Sequence, residues 1–228
     1  MTIEPTQLGL ILDCDGVLLD SMGAWEQAEI DACATVGIHP TKEDIDHVNT
    51  LTLVEACTYY NEKYGTGGSV EETLKIIDES MQRFYSNDVV VEPGALEFVS
   101  ALHGMGVRTC VVSSSPLRYL QAGLGSCGFL PYLDGVLSAD ELGFTKREHP
   151  IYDKALEILG TDKANTWGFD DTAYALHTLN SVGCHSVGIY SSDMNSTIDR
   201  LRNVAEVAFE GGLAELSPKA FLKLAGVR

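Results

Sequence analysis

Asp13 and Asp15 end an apolar run, Leu8-Gly9-Leu10-Ile11-Leu12, and Gly16 follows them. Side chains alternate along a strand, so two carboxylates one residue apart leave its carboxyl end on the same side. Such a pair repels itself unless a cation or a shared proton intervenes, which makes it costly as structure and plausible as chemistry. Asp-x-Asp-Gly also describes a loop that leaves a strand and binds nothing. A helix-loop-helix calcium loop would need further oxygen ligands ending in a Glu, whereas Cys14 to Met22 is mostly apolar.

Three more places carry polar groups beyond expected strands. Val111-Val112 runs into Ser113-Ser114-Ser115-Pro116, Trp167-Gly168-Phe169 runs into Asp170-Asp171-Thr172, and Lys146 follows a short strand near Gly135. Taken singly, each has an ordinary reading as a helix cap or a solvated lysine. An open parallel sheet, however, gathers all four at one edge. Oxygens from Asp13, Asp15 and the Asp170-Asp171 pair suit a hard cation such as Mg²⁺, which keeps waters and accepts phosphate oxygens as further ligands. Ser113 and Lys146 would then bind the remaining phosphate oxygens.

The elements that must position these groups follow from periodicity. After Ser21 the pattern turns helical, with Trp25, Ala28, Ala32 and Val36 on one face and Gly37 at the end. Leu51 to Tyr64 reads as a second helix, and Val70, Leu74, Ile77, Met81 and Phe84 form an apolar stripe on a third. From Val89 strands and helices alternate: helices over Pro93–Leu102, Leu117–Gly125, Tyr152–Leu159 and Ala173–Val182, strands over Val107–Val112, Gly135–Leu137, Thr166–Phe169 and Ser186–Tyr190. This predicts an α/β fold, a Rossmann-like parallel sheet covered by helices on both faces. Residues 1–20 and 89–228 make the core, and residues 21–88 an inserted α-helical cap placed directly after the Asp pair. Gly65-Thr66-Gly67-Gly68 lacks the preceding strand and following Lys of a phosphate cradle.

With 228 residues the chain has room for one such domain plus an insert. Its net charge of -18, with no block of Lys or Arg, would repel a nucleic-acid backbone. The same field repels a small phosphate ester unless a local cation reverses it. The six cysteines show no Cys-x-x-Cys pair and the N-terminus no basic region before an apolar run, which predicts reduced thiols, no signal peptide and a cytoplasmic location. No apolar stretch reaches the ~20 residues of a membrane helix. Cys14 reads as a small buried hydrophobe, and the six histidines show no zinc spacing, His149 being the one nearest Lys146.

In order and spacing, these motifs resemble those of the haloacid dehalogenase superfamily, in the subfamily whose small helical cap follows the first motif and, within it, the β-phosphoglucomutase-like phosphatase branch. The matching segments are Asp13-Cys14-Asp15-Gly16-Val17-Leu18-Leu19-Asp20-Ser21, Ser113 after Val111-Val112, Lys146, and Gly168-Phe169-Asp170-Asp171. The resemblance implies a hydrolase in which Asp13 is the nucleophile that forms an aspartyl-phosphate. Asp15 is then the general acid toward the leaving oxygen and the base toward water. It implies Mg²⁺ held by the Asp13 side chain, the Asp15 backbone carbonyl and Asp171, with Asp170 a ligand directly or through water. Phosphate would be held by Ser113, Ser114, Lys146 and Gly16. The chain departs from the family where Arg147-Glu148-His149-Pro150 replaces a Lys-Pro-x-Pro run.

A dehalogenase of the superfamily works without the second carboxylate, which disfavours that reaction here. Sugar phosphomutases carry a His about five residues after the first motif's last Asp and an Arg in a later cap loop. Here those positions hold Trp25 and the Arg-free run Asn49-Thr50-Leu51-Thr52-Leu53. A phosphatase for a small phosphorylated metabolite is favoured over a mutase, with a non-catalytic phosphate-binding relative as the remaining alternative. The expected protein is a monomer or weak dimer with no nucleic-acid or membrane partner. The cap's few cations, Lys42, Lys63, Lys75 and Arg83, point to a substrate with one phosphate and a neutral or weakly charged body.

Overall fold

The computed structural model describes residues 3–48, 51–190 and 197–227. The chain divides into two compact units, Met1–Asp20 with Val90–Arg228, and Ser21–Val89. Val89 thus falls with the helical unit, one residue beyond the boundary read from the sequence.

In the first unit, β1 (Gly9–Leu12), β4 (Arg108–Ser113), β5 (Gly135–Ser138), β6 (Thr166–Asp170), β7 (His185–Ile189) and β8 (Val207–Phe209) form one sheet. Their order is β5-β4-β1-β6-β7-β8, and every pairing is parallel. The order reverses at β1, with Ile11 opposite Cys110 on one side and Gly168 on the other. Ligands of open parallel sheets bind beyond the carboxyl ends at such a reversal. Two short strands, β2 (Leu19–Asp20) and β3 (Val90–Val91), pair antiparallel where the chain leaves and re-enters this unit.

Alternation along β6 divides the core. Trp167 and Phe169 share one face with Phe98 of α5 (Ala95–Gly104) and Phe221 of α11 (Pro218–Leu224), ring centroids lying 5.5 to 5.7 Å apart. On the other face Ile11, Cys110 and Val112 pack with Ala155 and Leu159 of α8 (His149–Leu159) and Leu179 of α9 (Ala173–Val182). Gly168 lies under α9, and a methyl group there would overlap the Leu179 side chain. The missing side chain lets α9 lie close on β6, which fixes the turn Asp170-Asp171-Thr172 between them. Helices α6 (Leu117–Ser126), α7 (Ala139–Leu142) and α10 (Ile198–Arg202) complete the unit.

The helical unit contains α1 (Met22–Ala34), α2 (Lys42–Val48), α3 (Leu53–Tyr64) and α4 (Val70–Asn87), with α1 and α3 both packed on α4. Helix α4 buries Thr73, Ile77, Met81 and Tyr85, a straight four-residue row, so Leu74 and Phe84 of the expected stripe are only half-buried. Burial of the two polar members is compensated: Thr73 Oγ1 donates to the Thr66 carbonyl at 2.7 Å, and Tyr85 accepts from Trp25 Nε1 at 3.1 Å. On α1 the expected Ala28 and Ala32 are buried, while Val36 lies beyond the helix, 40% exposed, and Glu29 and Cys33 are buried instead. Asn49 and Thr50 lie outside the described residues.

Two acids anchor this unit. Glu29 accepts from Tyr60 Oη at 2.9 Å, bridging α1 to α3, and burial pushes its carboxyl up to about 7. Asp44 accepts from Tyr59 Oη at 2.6 Å, Tyr64 Oη at 2.7 Å and Thr41 Oγ1 at 2.7 Å, and pairs with Lys63. Burial alone would raise Asp44; the hydrogen bonds from Lys63, the tyrosines and Thr41 outweigh it and hold the carboxyl well below its usual range.

Candidate active site

Asp13 leaves β1 at the centre of the sheet, its N–H still in the ladder with the Phe169 carbonyl at 2.9 Å. Three buried side chains converge there. Lys146 Nζ lies 2.6 Å from Asp13 Oδ1 and donates to Asp170 Oδ2 at 2.9 Å, and all three are 3 to 6% exposed. Asp13 Oδ1 also accepts from the Cys14 N–H at 2.7 Å. The Lys146 loop is held from behind by Tyr152 of α8, whose hydroxyl donates to the Lys146 carbonyl at 3.3 Å.

Asp170 is fully braced, because Thr172 donates to its Oδ1 from both N–H (2.9 Å) and Oγ1 (2.6 Å) while Lys146 holds Oδ2. Asp171 contrasts with it: 1% exposed, with neither carboxylate oxygen hydrogen-bonded among the described residues. A buried carboxylate without partners is strongly disfavoured. One oxygen each from Asp13, Asp170 and Asp171 lies within 4.8 Å of the others. An all-oxygen donor set with unused lone pairs fits a hard divalent cation such as Mg²⁺.

The electrostatics agree. Burial, opposed by the Lys146 ammonium and reinforced by the Asp170 and Asp15 charges, pushes Asp13 up to about 7. Burial and the neighbouring Asp13 and Asp170 raise Asp171 well above the carboxylate range. For Lys146, burial pulls downward but the charges of Asp13 and Asp170 prevail and raise it. One ammonium faces more carboxylates than it can neutralise, a deficit that a bound cation would fill.

Asp15 points elsewhere. Its Oδ2 accepts from Ser115 Oγ at 2.6 Å and, longer, from Ser113 Oγ at 3.3 Å, while the Ser115 N–H donates to Ser113 Oγ at 3.0 Å. Ser115 is the residue that sequence reasoning missed; the signal was its place two residues beyond Ser113, on the same side of an extended segment. Ser114 is exposed. Gly16 has φ of 73° and donates its N–H to the Leu19 carbonyl at 2.9 Å, so it shapes the turn after Asp15 and that donor is not free for a phosphate. Cys14 is buried with its thiol raised by burial and by Asp15 and Asp13, as befits a packing residue. His149 Nε2 lies 2.7 Å from Ser181 Oγ. All six cysteines are free, and among the described residues no helix is long and apolar enough to cross a membrane.

Residues 10–198 match the family of haloacid dehalogenase-like hydrolases, and the chain belongs to that family, on its phosphatase-like side. Hexitol phosphatase B of Escherichia coli is 25% identical over 168 residues, 72% of this chain and 75% of that protein. Among solved structures, CbbY from Rhodobacter sphaeroides in complex with phosphate superposes with a TM-score of 0.78 at 16% identity, covering 91% of this chain and 95% of that one. β-Phosphoglucomutase from Clostridium difficile gives a TM-score of 0.75 at 17% identity, with 96% of each chain covered.

Proposed function

We propose that this chain is a Mg²⁺-dependent phosphatase that hydrolyses a small phosphorylated metabolite through an aspartyl-phosphate on Asp13. The observation that carries the reading is the pair of unpartnered, buried Asp171 oxygens beside Asp13 and Lys146. Asp13, Asp171 and the Asp15 carbonyl would hold the ion, with Asp170 beside them. When bound, the ion supplies charge neutralisation for the phosphoryl oxygens.

The chain's own residues then divide the work. Lys146 and the Cys14 N–H hold Asp13 Oδ1 in place, and the Asp13 carboxylate attacks phosphorus through the oxygen that does not face the ion. As the new O–P bond forms, the ester P–O bond breaks and Asp15 gives its proton to the leaving oxygen. Asp15 next takes a proton from water, which attacks the phosphorus and releases phosphate with Asp13 restored. Ser115 and Ser113 orient Asp15 for both halves. Ser113, Ser114 and Lys146 contact the remaining phosphate oxygens, and stabilisation by such fixed donors is the larger part of phosphoryl-transfer catalysis.

Trp25 stands where a mutase has an imidazole and bonds to Tyr85, which favours hydrolysis over intramolecular transfer. Lys63, one of the helical unit's few cations, is committed to Asp44, which favours a neutral substrate body such as a sugar or polyol. The test is phosphate release from p-nitrophenyl phosphate and from a panel of sugar and polyol monophosphates, with Mg²⁺ or EDTA. Release that requires Mg²⁺ and disappears in Asp13→Asn supports the reading; release unaffected by that substitution refutes it.

A further inference from the structure

Arg147 follows Lys146 directly, and its guanidinium carbon lies 4.0 Å from the centroid of the Tyr174 ring. This stack closes a ring of contacts. Lys146 Nζ bonds Asp170 Oδ2, Asp170 Oδ1 bonds Thr172, Thr172 immediately precedes the helix that carries Tyr174, and Tyr174 returns to Arg147, the neighbour of Lys146. The loop itself is pinned at both ends: Thr145 donates to Glu148 Oε2 from N–H (2.8 Å) and Oγ1 (3.0 Å), and the Arg147 N–H donates to Thr145 Oγ1 at 3.3 Å.

We propose that Arg147 and Tyr174 are positioning residues whose stack holds Lys146 Nζ between Asp13 and Asp170. A lysine stem has four rotatable bonds and its ammonium no preferred direction. The ion pairs hold the ammonium, Tyr152 and the Thr145–Glu148 turn hold the backbone locally, and the Arg147 stack adds a tie to α9. Fastening Arg147 to the helix that starts beside Asp170 ties the loop to the same element as the carboxylate. The catalytic consequence rests on the phosphatase reading; the placement of Lys146 does not.

A cation–π contact at a partly exposed site corresponds to about a fivefold effect on a rate. Arg147→Met and Tyr174→Leu should each lower kcat for p-nitrophenyl phosphate about fivefold, and the double variant should be no slower than either. Tyr174→Phe, which keeps the ring and loses the hydroxyl that bonds Thr172, should lose less than Tyr174→Leu, and Arg147→Lys should recover part of the loss. In metal-free protein, the ¹⁵N signal of the Lys146 ammonium, assigned by its loss in Lys146→Met, should broaden or move in Arg147→Met and less in Arg147→Lys. Losses that add in the double variant, or an unmoved Lys146 signal, overturn the proposal. A wild type with no phosphate release would instead sink the phosphatase reading, and the Lys146 signal would still decide the clasp.

Discussion

Asp170 and Asp171 are adjacent in sequence and opposite in bonding: Lys146 and Thr172 satisfy both oxygens of the first, and among the described residues no hydrogen bond reaches either oxygen of the second. The first acid is therefore part of the scaffold, and the second carries the unused coordinating capacity.

Substituting the two should separate these roles. In EDTA, Asp171→Asn relieves crowding among buried carboxylates and is expected to stabilise the protein by about 1–2 kcal/mol. Asp170→Asn breaks the bridge to Lys146 and should destabilise it. Added Mg²⁺ should raise the thermal midpoint of the wild type, since a ligand of the native state stabilises by mass action, and leave Asp171→Asn unmoved. An equal rise in that variant would remove Asp171 from the metal site.

Ser115 should matter to turnover. Its hydroxyl makes the 2.6 Å contact to Asp15, and leaving a buried hydrogen-bonding group unsatisfied costs roughly 1–3 kcal/mol. Ser115→Ala is expected to reduce kcat about tenfold, with Ser115→Thr partly restoring it. Steady-state kinetics would show this, and an unchanged kcat would mean that Ser113 alone orients the acid.

The helical unit should lose stability as pH rises. Glu29 shifts from an ordinary 4.5 to about 7, by burial first, against the Tyr60 hydrogen bond and with Glu26 adding repulsion; burial and the Glu29 charge also push the Cys33 and Cys57 thiols up. The folded state therefore holds this proton where the unfolded chain releases it. The stabilisation is complete below about pH 4.5 and falls away up to about pH 7, a difference of roughly 3 kcal/mol. Glu29→Gln should abolish that part of the pH dependence. Urea unfolding at about pH 5 and pH 8 measures it, and parallel pH profiles for the two proteins would refute the assignment.

Asp44 should behave in the opposite sense. Its depressed carboxyl contributes stability above its ordinary range that is lost in acid. Asp44→Ala leaves Tyr59, Tyr64, Thr41 and Lys63 without their shared acceptor and should cost about 2–4 kcal/mol. Thermal unfolding of the variant checks this, and a loss below about 0.5 kcal/mol would show the cluster to be ornamental.

Strong periodicity made most of the architecture legible. β1, β4, β6 and α9 fall within a residue or two of their expected bounds, because apolar strands and amphipathic helices bury what their pattern announces. The β2–β3 ribbon left no trace, since two-residue strands have no period, and α2 was hidden by the polar run Lys42-Glu43-Asp44-Ile45. Glu29 and Asp44 look like surface acids until partners distant in sequence are known. In the site, residue types marked Asp13, Lys146 and the Asp170-Asp171 turn; the division of labour between the last two depends on Thr172, whose hydroxyl could equally have capped a helix.

The short ribbon has an architectural consequence. Asp20 faces Val90, and Leu19 faces Val91, in antiparallel register, so the residues flanking the insertion are already hairpin neighbours. A two-residue Asn-Gly turn, the favoured closure for such a pair, can join Asp20 to Val90 directly. The two ends of the inserted segment thus leave and return side by side, and a chain closed by such a turn would keep the order of the six parallel strands.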